Sequence, residues 1–465
     1  MNRFTGFLIA SALTLLAATQ PSLGASGSRI TDPGLNPATI AHVLNRLTFG
    51  ARPGDVERVR EAGLAAWIDQ QLHPSRIDDH VADAMLPSLE HPPDGADQQE
   101  LRRFARRQVQ TLAAEKLLRA MYSERQLQEV LVDFWFNHFN VYAGKGRTAM
   151  YLPEYERAVI RPHVFDHFRD LLEADAKSPA MLFYLDNWMS TAEDADHKGP
   201  RHRDVRHRQL AANPKGKKRP RGLNENYGRE LLELHTLGVD GGYRQKDVIE
   251  VARAFTGWTI DRDGRFRFVP ALHDSGEKFV LGHTINAGGG IDDGEKVLDI
   301  VAWHPATAHH VAFELAQRLV ADDPPPALVD RAAARFRDTR GDLSEVVKTI
   351  VTSPEFLAPA ARDAKFKTPF ELVVSAVRTT GAAVSDGRAF VQTLQQLGEP
   401  LYMCQPPTGY TDTADAWVSA GGLVTRMNFA TRLASGSMPG VTLPADAPQA
   451  QELALKIGSP EFQRF

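Results

Sequence analysis

A chain of 465 residues, 43% hydrophobic and 24% charged, has ample material for a folded core, and its length would accommodate two to four domains. Its one cysteine, Cys404, excludes an intramolecular disulfide, and no haem-attachment or iron–sulfur spacing is present. The net charge of −4 by itself selects no class of partner.

The chain opens with Arg3, an apolar run from Phe4 to Ala18, and then the small residues Ser22, Gly24, Ala25 and Ser26. That order is the pattern of a secretory leader, with cleavage expected after Gly24 or Ala25. The run is short for a membrane span and no second one follows, so no integral membrane segment is expected after cleavage. The expected organisation is a leader over 1–24 and a single helical domain over 25–465, exported to the periplasm or the extracellular space.

Helix signals dominate from there. Asn36-Pro37 reads as an N-cap and first helical residue, opening a helix to about Phe49. Two short helices fit Arg52 to Leu72, followed by a Pro- and Asp-rich link to Asp97. A long helix fits Leu101 to Tyr122, and Ser123-Glu-Arg-Gln126 reads as a capping box for the next. That next helix carries Phe134-Trp-Phe-Asn-His-Phe139. Trp135 and His138 share a face there, so His138 is either a core histidine against an aromatic or a general acid/base, with Trp135 beside the substrate. Further helices fit Pro153–Ile160, His163–Ala174 and Pro179–Asn187. His163 and His167 stand four apart and could grip a metal, but no ligand set is assigned and the cofactor stays unknown.

Composition then shifts. Between His197 and Arg221 ten basic residues face one acid, a net of about +9, which leaves about −13 on the rest. The stretch 192–222 reads as a disordered basic insertion. It is a flexible loop or a contact for an anionic envelope surface or polymer. Without interleaved aromatics it suits no specific nucleic acid.

The densest polar stretch runs from Leu223 to Gly238. Tyr227, Leu231, Leu232 and Leu234 share one arc of a helix with Gly228 and His235, while Glu225, Asn226, Arg229, Glu230 and Glu233 share the other. Arg229 stands four residues from both Glu225 and Glu233, so ion pairs to both are expected. His235 lies in the last turn, where the helix dipole favours a proton. The polar arc is either a solvated ion-pair face or the wall of a site. On the second reading Glu225, Glu230, Arg229 and His138 are catalytic, and Asp186, Asn187, Asn224, Asn226 and Trp135 hold substrate. Looping out the insertion would bring Asp186 and Asn187 to the start of this helix.

Beyond it, Tyr243 to Ala254 reads as a helix. Alternation around Asp263-Gly264, from Trp258 to Val269, reads as a β-hairpin. His273-Asp274 is a ligand pair or a hydrogen-bonded turn. The glycines at 288–290 lack the lysine–serine ending of a phosphate loop. Helices resume from Asp293, and Ser353-Pro and Ser459-Pro each read as an N-cap with proline at the first position. The fold class expected is mainly α: a multi-helix single globular domain with a small β-hairpin excursion near residues 258–283.

The block Leu223–Gly238, with Tyr243-Arg-Gln-Lys-Asp247 and Ala252-Arg-Ala-Phe-Thr-Gly-Trp258, resembles the signature of the domain-of-unknown-function 1800 family. So do Phe134–Phe139, Ser178-Pro-Ala-Met-Leu182, Leu185-Asp-Asn187, His304-Pro-Ala-Thr307, Lys367-Thr-Pro-Phe-Glu-Leu372 and Pro406-Pro-Thr-Gly-Tyr410. The resemblance spans about Ala41 to Phe465 and implies an exported bacterial protein with one intact domain and no particular activity. Two positions depart from the family pattern. Gly228 replaces a usual Ala and is expected to weaken its helix by about 1 kcal/mol. His167 replaces a usual Asn. The functional expectation is a hydrolase acting on an extracytoplasmic polymer, a glycan, by carboxylate acid/base chemistry. The alternative is a non-catalytic cell-envelope binding or assembly protein.

Overall fold

The computed structural model describes residues 36–90, 92–93, 95–192 and 222–465; the leader-like stretch and the basic residues 193–221 lie outside them. The helices that carry the architecture are α1 Pro37–Leu47, α2 Gln98–Tyr122, α3 Gln126–His138, α4 Phe168–Ala176, α5 Glu225–Glu233 and α6 Gln245–Ala254. They continue with α7 Ile291–Ala302, α8 Pro305–Leu319, α9 Pro326–Asp338, α10 Leu343–Val351, α11 Pro369–Thr380, α12 Ala420–Ala434 and α13 Ala450–Gly458. Short antiparallel pairs are the only sheet among the described residues. The protein is mainly α with small hairpins, as its sequence leads one to expect.

Local chemistry sets many helix starts. Asn36 caps α1 by accepting from the Ala38 amide at 2.9 Å, with Pro37 at the first helical position. Asp97 and Glu100 form a capping box at α2. The box expected at Ser123 does not form. Gln126 instead spends its amide on the carbonyls of Ala120 and Ser123 and accepts from the Phe49 amide, tying the α2–α3 corner to α1. The expected hairpin is present: β1 Trp258–Ile260 pairs with β2 Phe266–Phe268, Trp258 opposite Phe268. A second hairpin, β3 Lys278–Val280 with β4 His283–Ile285, follows it.

One continuous apolar cluster runs from Ile40 in α1 to Ile457 in α13. α8 packs on α9 and α9 on α10, while α5 lies on α6 and α11 lies on α2. A π-helical turn at Tyr155–Ile160 buries both Tyr155 and Glu156. No helix among the described residues is long and apolar enough to cross a membrane.

Gly228 has a different part from the one its helix propensity suggests. A Cβ built there would stand 2.7 Å from the Val248 carbonyl oxygen and 3.1 Å from the Ala252 nitrogen. The missing side chain lets α5 and α6 approach backbone to backbone.

Candidate functional site

The two stems of the basic insertion do meet. Ser190 and Gly222 form a parallel bridge, the Thr191 amide donates to the Gly222 carbonyl, and the Asn224 side chain donates to the Leu185 carbonyl at 2.7 Å. Asp186 and Asn187 therefore lie beside the start of α5. Their side chains nevertheless turn away from its carboxylates. Asp186, in the left-handed region at φ 61°, pairs with Lys145 at 2.8 Å. Asn187 is fully buried and donates to the carbonyls of Phe255 and Trp258. Asn224 serves as the N-cap, accepting from the Asn226 amide at 3.0 Å, and Asn226 itself is exposed.

On α5 Glu225 and Asn226 are exposed, while Arg229, Glu230 and Glu233 are half-buried. The expected Arg229 pairs with Glu225 and Glu233 are replaced by contacts through α6. Gln245 accepts from Arg229 at 2.7 Å and donates to Glu225 at 2.7 Å, because one amide can do both. Glu233 accepts from the Tyr243 hydroxyl. Glu230 is half-buried, and burial with Glu233 beside it raises its pKa. His235 does not hold the expected proton: it is 1% exposed, and burial, then the charge of His138, pushes it down to about 3. Trp135 is equally enclosed, its ring against Phe139 and Phe168 in the core. His163 and His167 take separate partners, Asp166 and the Arg340 carbonyl. His273 and Asp274 also diverge, to Thr256 and Asp293 on one side and Arg253 on the other. Among the described residues no group of three or more His, Cys, Asp or Glu is arranged to hold a metal ion.

Of the predicted site residues, His138 lines a polar cleft. That cleft, about 280 Å³, is walled by α3, by α8, by Lys116 of α2, by Thr368 at the start of α11 and by the segment 399–412. Its volume sits at the small end of ligand sites, about 300 Å³ upward. Three segments that carry the family resemblance converge on it: Phe134–Phe139, Lys367–Leu372 and Pro406–Tyr410.

Their convergence has a specific chemistry. The Asn137 side chain donates to the Tyr410 carbonyl and accepts from the Tyr410 amide, both at 2.7 Å. Asn140 donates to the carbonyls of Cys404 and Pro406. Gly409, at φ 70°, lets the loop close on α3, since a Cβ there would meet the Asn137 carbonyl oxygen at 2.4 Å. Thr368 and Glu371 form a capping box, and the second oxygen of Glu371 accepts from Arg318.

Charge in the cleft is paired and largely buried. Lys116 meets Asp133 at 2.8 Å beneath the rings of Phe136, Phe370 and Tyr402. Burial alone would lower its pKa; Asp133 and Glu156 more than offset this and raise it. Arg318 gathers Glu371, Asp412 at 3.3 Å and Asp133 at 3.5 Å.

Two glutamates in the wall have opposite environments. Glu399 is 8% exposed, accepts from the Phe370 amide at 2.7 Å, and is pushed up to about 8 by burial and then by Asp133. Glu314, its side chain 30% exposed, lies 2.6 Å from His138 Nδ1. Burial would raise Glu314, but the His138 charge outweighs this and holds it below the usual carboxylate range. His138 Nε2 stands 3.2 Å from the His235 carbonyl oxygen. With Glu314 ionised both ring nitrogens face acceptors, and a doubly protonated imidazolium satisfies both. Burial opposes that charge and Glu314 overcomes it, so the His138 pKa is raised.

The model of the family described as "Protein of unknown function (DUF1800)" matches residues 42–464. The chain belongs to the DUF1800 family. No curated protein and no solved structure matches it. In this DUF1800 chain the cleft draws its charged groups from α2, α3, α8 and the segment 399–412. The residues that sequence reading passed over there are Lys116, Asp133, Glu314, Arg318, Glu399 and Asp412. For Asp133 and Glu314 the signal was a charge set inside an apolar helical run, Leu-Val-Asp133-Phe-Trp-Phe and Ala-Phe-Glu314-Leu-Ala, whereas Glu399 and Asp412 lie in a loop with no such signal.

Proposed function

We propose that the cleft is the hydrolytic site of an exported protein acting on an extracytoplasmic polymer, a glycan, through paired carboxyl groups. One observation carries the reading: Glu314 and Glu399 line the same cleft in environments that push their proton affinities apart. Glu399, protonated at neutral pH, donates to the glycosidic oxygen as the bond to the anomeric carbon breaks. Glu314, ionised beside His138, takes the proton of the attacking water, whose oxygen forms the new bond to that carbon. The proton passes back from Glu314 to Glu399 through solvent before the next turn. His138 has no free lone pair and acts by holding Glu314 ionised and in place. Asp133 and Asp412, themselves held by Lys116 and Arg318, offer acceptors to sugar hydroxyls.

The pH profile tests this. Activity should fall on the acid side as Glu314 gains a proton, below its ordinary value near 4.5, and on the alkaline side near pH 8 as Glu399 loses one. In Glu399→Gln the alkaline limb at pH 8 should disappear along with most of the rate. A wild-type profile that stays flat through pH 8 would contradict the assignment.

A second reading, a non-catalytic envelope-binding protein, is favoured by the Glu225–Gln245–Arg229 network. It lies on an exposed face, the form of a contact surface rather than a cavity.

A further inference from the structure

Behind His138 the core contains polar groups that the proposed chemistry does not use. Asp175, on α4, is fully buried. Its Oδ1 accepts from the Tyr155 hydroxyl at 2.7 Å, but its Oδ2 has no hydrogen-bond partner among the described residues. His235 Nδ1, 3.9 Å from that oxygen, is likewise without a partner, and so is the buried hydroxyl of Tyr227. A carboxyl group fully enclosed by protein is costly as an anion unless a cation lies within reach of its field. Among the described residues no lysine or arginine contacts Asp175 by hydrogen bond or ion pair. The imidazolium that the geometry does provide is His138, whose Nε2 donates to the carbonyl of the residue whose ring stands against Asp175.

His235 therefore touches both groups, His138 through its main chain and Asp175 through its ring. The rings of His138 and His235 lie 6.4 Å apart, centre to centre. We propose that Asp175 is the buried counter-charge that positions His138, and through it Glu314, with neutral His235 as the spacer between them. The proposal rests on the reading of the cleft for its purpose, but not for its geometry. It makes a row of alternating charge running inward from the cleft wall: Glu314, His138, Asp175, closed by the Tyr155 hydroxyl.

The other titratable groups around His138 are His310, four residues before Glu314 on α8, and Lys116, Asp133 and Arg318 in the cleft wall. Tyr155 and Tyr227 face Asp175 from the far side. Burial opposes a proton on His138. Glu314 and Asp175 favour it. Asp175 is pushed up to about 7 by burial, against the Tyr155 hydrogen bond and the charge of His138.

The test follows the His138 proton directly. Histidine carrying ¹³C at Cε1 is incorporated into the whole mature protein, the His138 signal is assigned by its loss in His138→Gln, and its midpoint is titrated. The wild-type midpoint should lie above the ordinary value of about 6.5. Asp175→Asn should lower proton affinity at His138 roughly tenfold, about one pH unit. Tyr155→Phe, which keeps the ring and removes the donor, should lower it by less, because an Asp175 without its donor ionises at higher pH. If Asp175→Asn does not fold, Tyr155→Phe decides. A His138 midpoint unmoved in the folded variants would overturn the proposal. That result leaves the cleft chemistry standing, whereas unchanged turnover in Glu314→Gln would remove the chemistry and leave the charge row intact.

Discussion

The cleft and the polar face of α5 contain the same kinds of side chain and use them in opposite ways. On α5 the charges come from one short segment, stand at helical spacing and meet solvent. Gln245 satisfies two of them, and exposed pairs of that kind contribute about 0–1 kcal/mol. In the cleft, Lys116, Asp133, His138, Glu314, Arg318, Glu399 and Asp412 come from segments up to 296 positions apart, and most are buried. There each charge has to be answered by another, and proton affinities move. Density of charge in a sequence marks a wet face as readily as a site. Burial separates the two.

The comparison can be broken most severely at Arg318. Replacing it with Gln leaves Glu371, Asp133 and Asp412 without their shared cation, and loss of one partner from a buried ionic cluster costs about 3–5 kcal/mol. Urea denaturation should show that loss, and a cost below about 1 kcal/mol would mean that the cluster is solvated like α5.

A middle-sized effect is expected at Asn137. Its Ala variant gives up two hydrogen bonds to the Tyr410 backbone, roughly 2 kcal/mol at about 1 kcal/mol each. Amide exchange at Tyr410 should quicken by more than tenfold while exchange in α9 and α10 stays unchanged. Equal protection at Tyr410 in both proteins would show that the loop is held by something else.

The smallest effect sharpens the comparison within α5 itself. Gly228→Ala gains about 1 kcal/mol of helix propensity but drives a Cβ against the Val248 carbonyl, an overpacking that costs about 1–3 kcal/mol. Net destabilisation near 1 kcal/mol is expected, at least as large as for Glu230→Gln on the half-buried polar arc. A more stable Gly228→Ala protein would mean that α5 and α6 part at no cost.

Much of the fold was legible because its signals are local. Asn36-Pro37 caps α1, and the Asp263-Gly264 turn sits between two strands that pair where alternation placed them. The stems at Ser190 and Gly222 meet. The site was less legible because its members are joined only by tertiary packing. Nothing near Glu314 in the chain indicates that His138 lies 2.6 Å away, and nothing around Glu399 indicates Asp133. The polar arc of α5 was visible for the same reason that it is no more than half-buried: its partners are neighbours in sequence. His235 shows the limit from the other side. Its position at a helix end favoured a proton, and its burial removed one.

The central claim is that the chemistry resides in the cleft and not on α5. The direct test assays wild type, Glu314→Gln, Glu399→Gln and Glu230→Gln side by side on cell-envelope glycans, following both product release and retention of the polymer. The account predicts that both cleft variants retain polymer and lose product release by at least about a hundredfold, the range for a positioned acid or base, while Glu230→Gln matches wild type. Loss of product release in Glu230→Gln, with full activity in Glu314→Gln and Glu399→Gln, would contradict it.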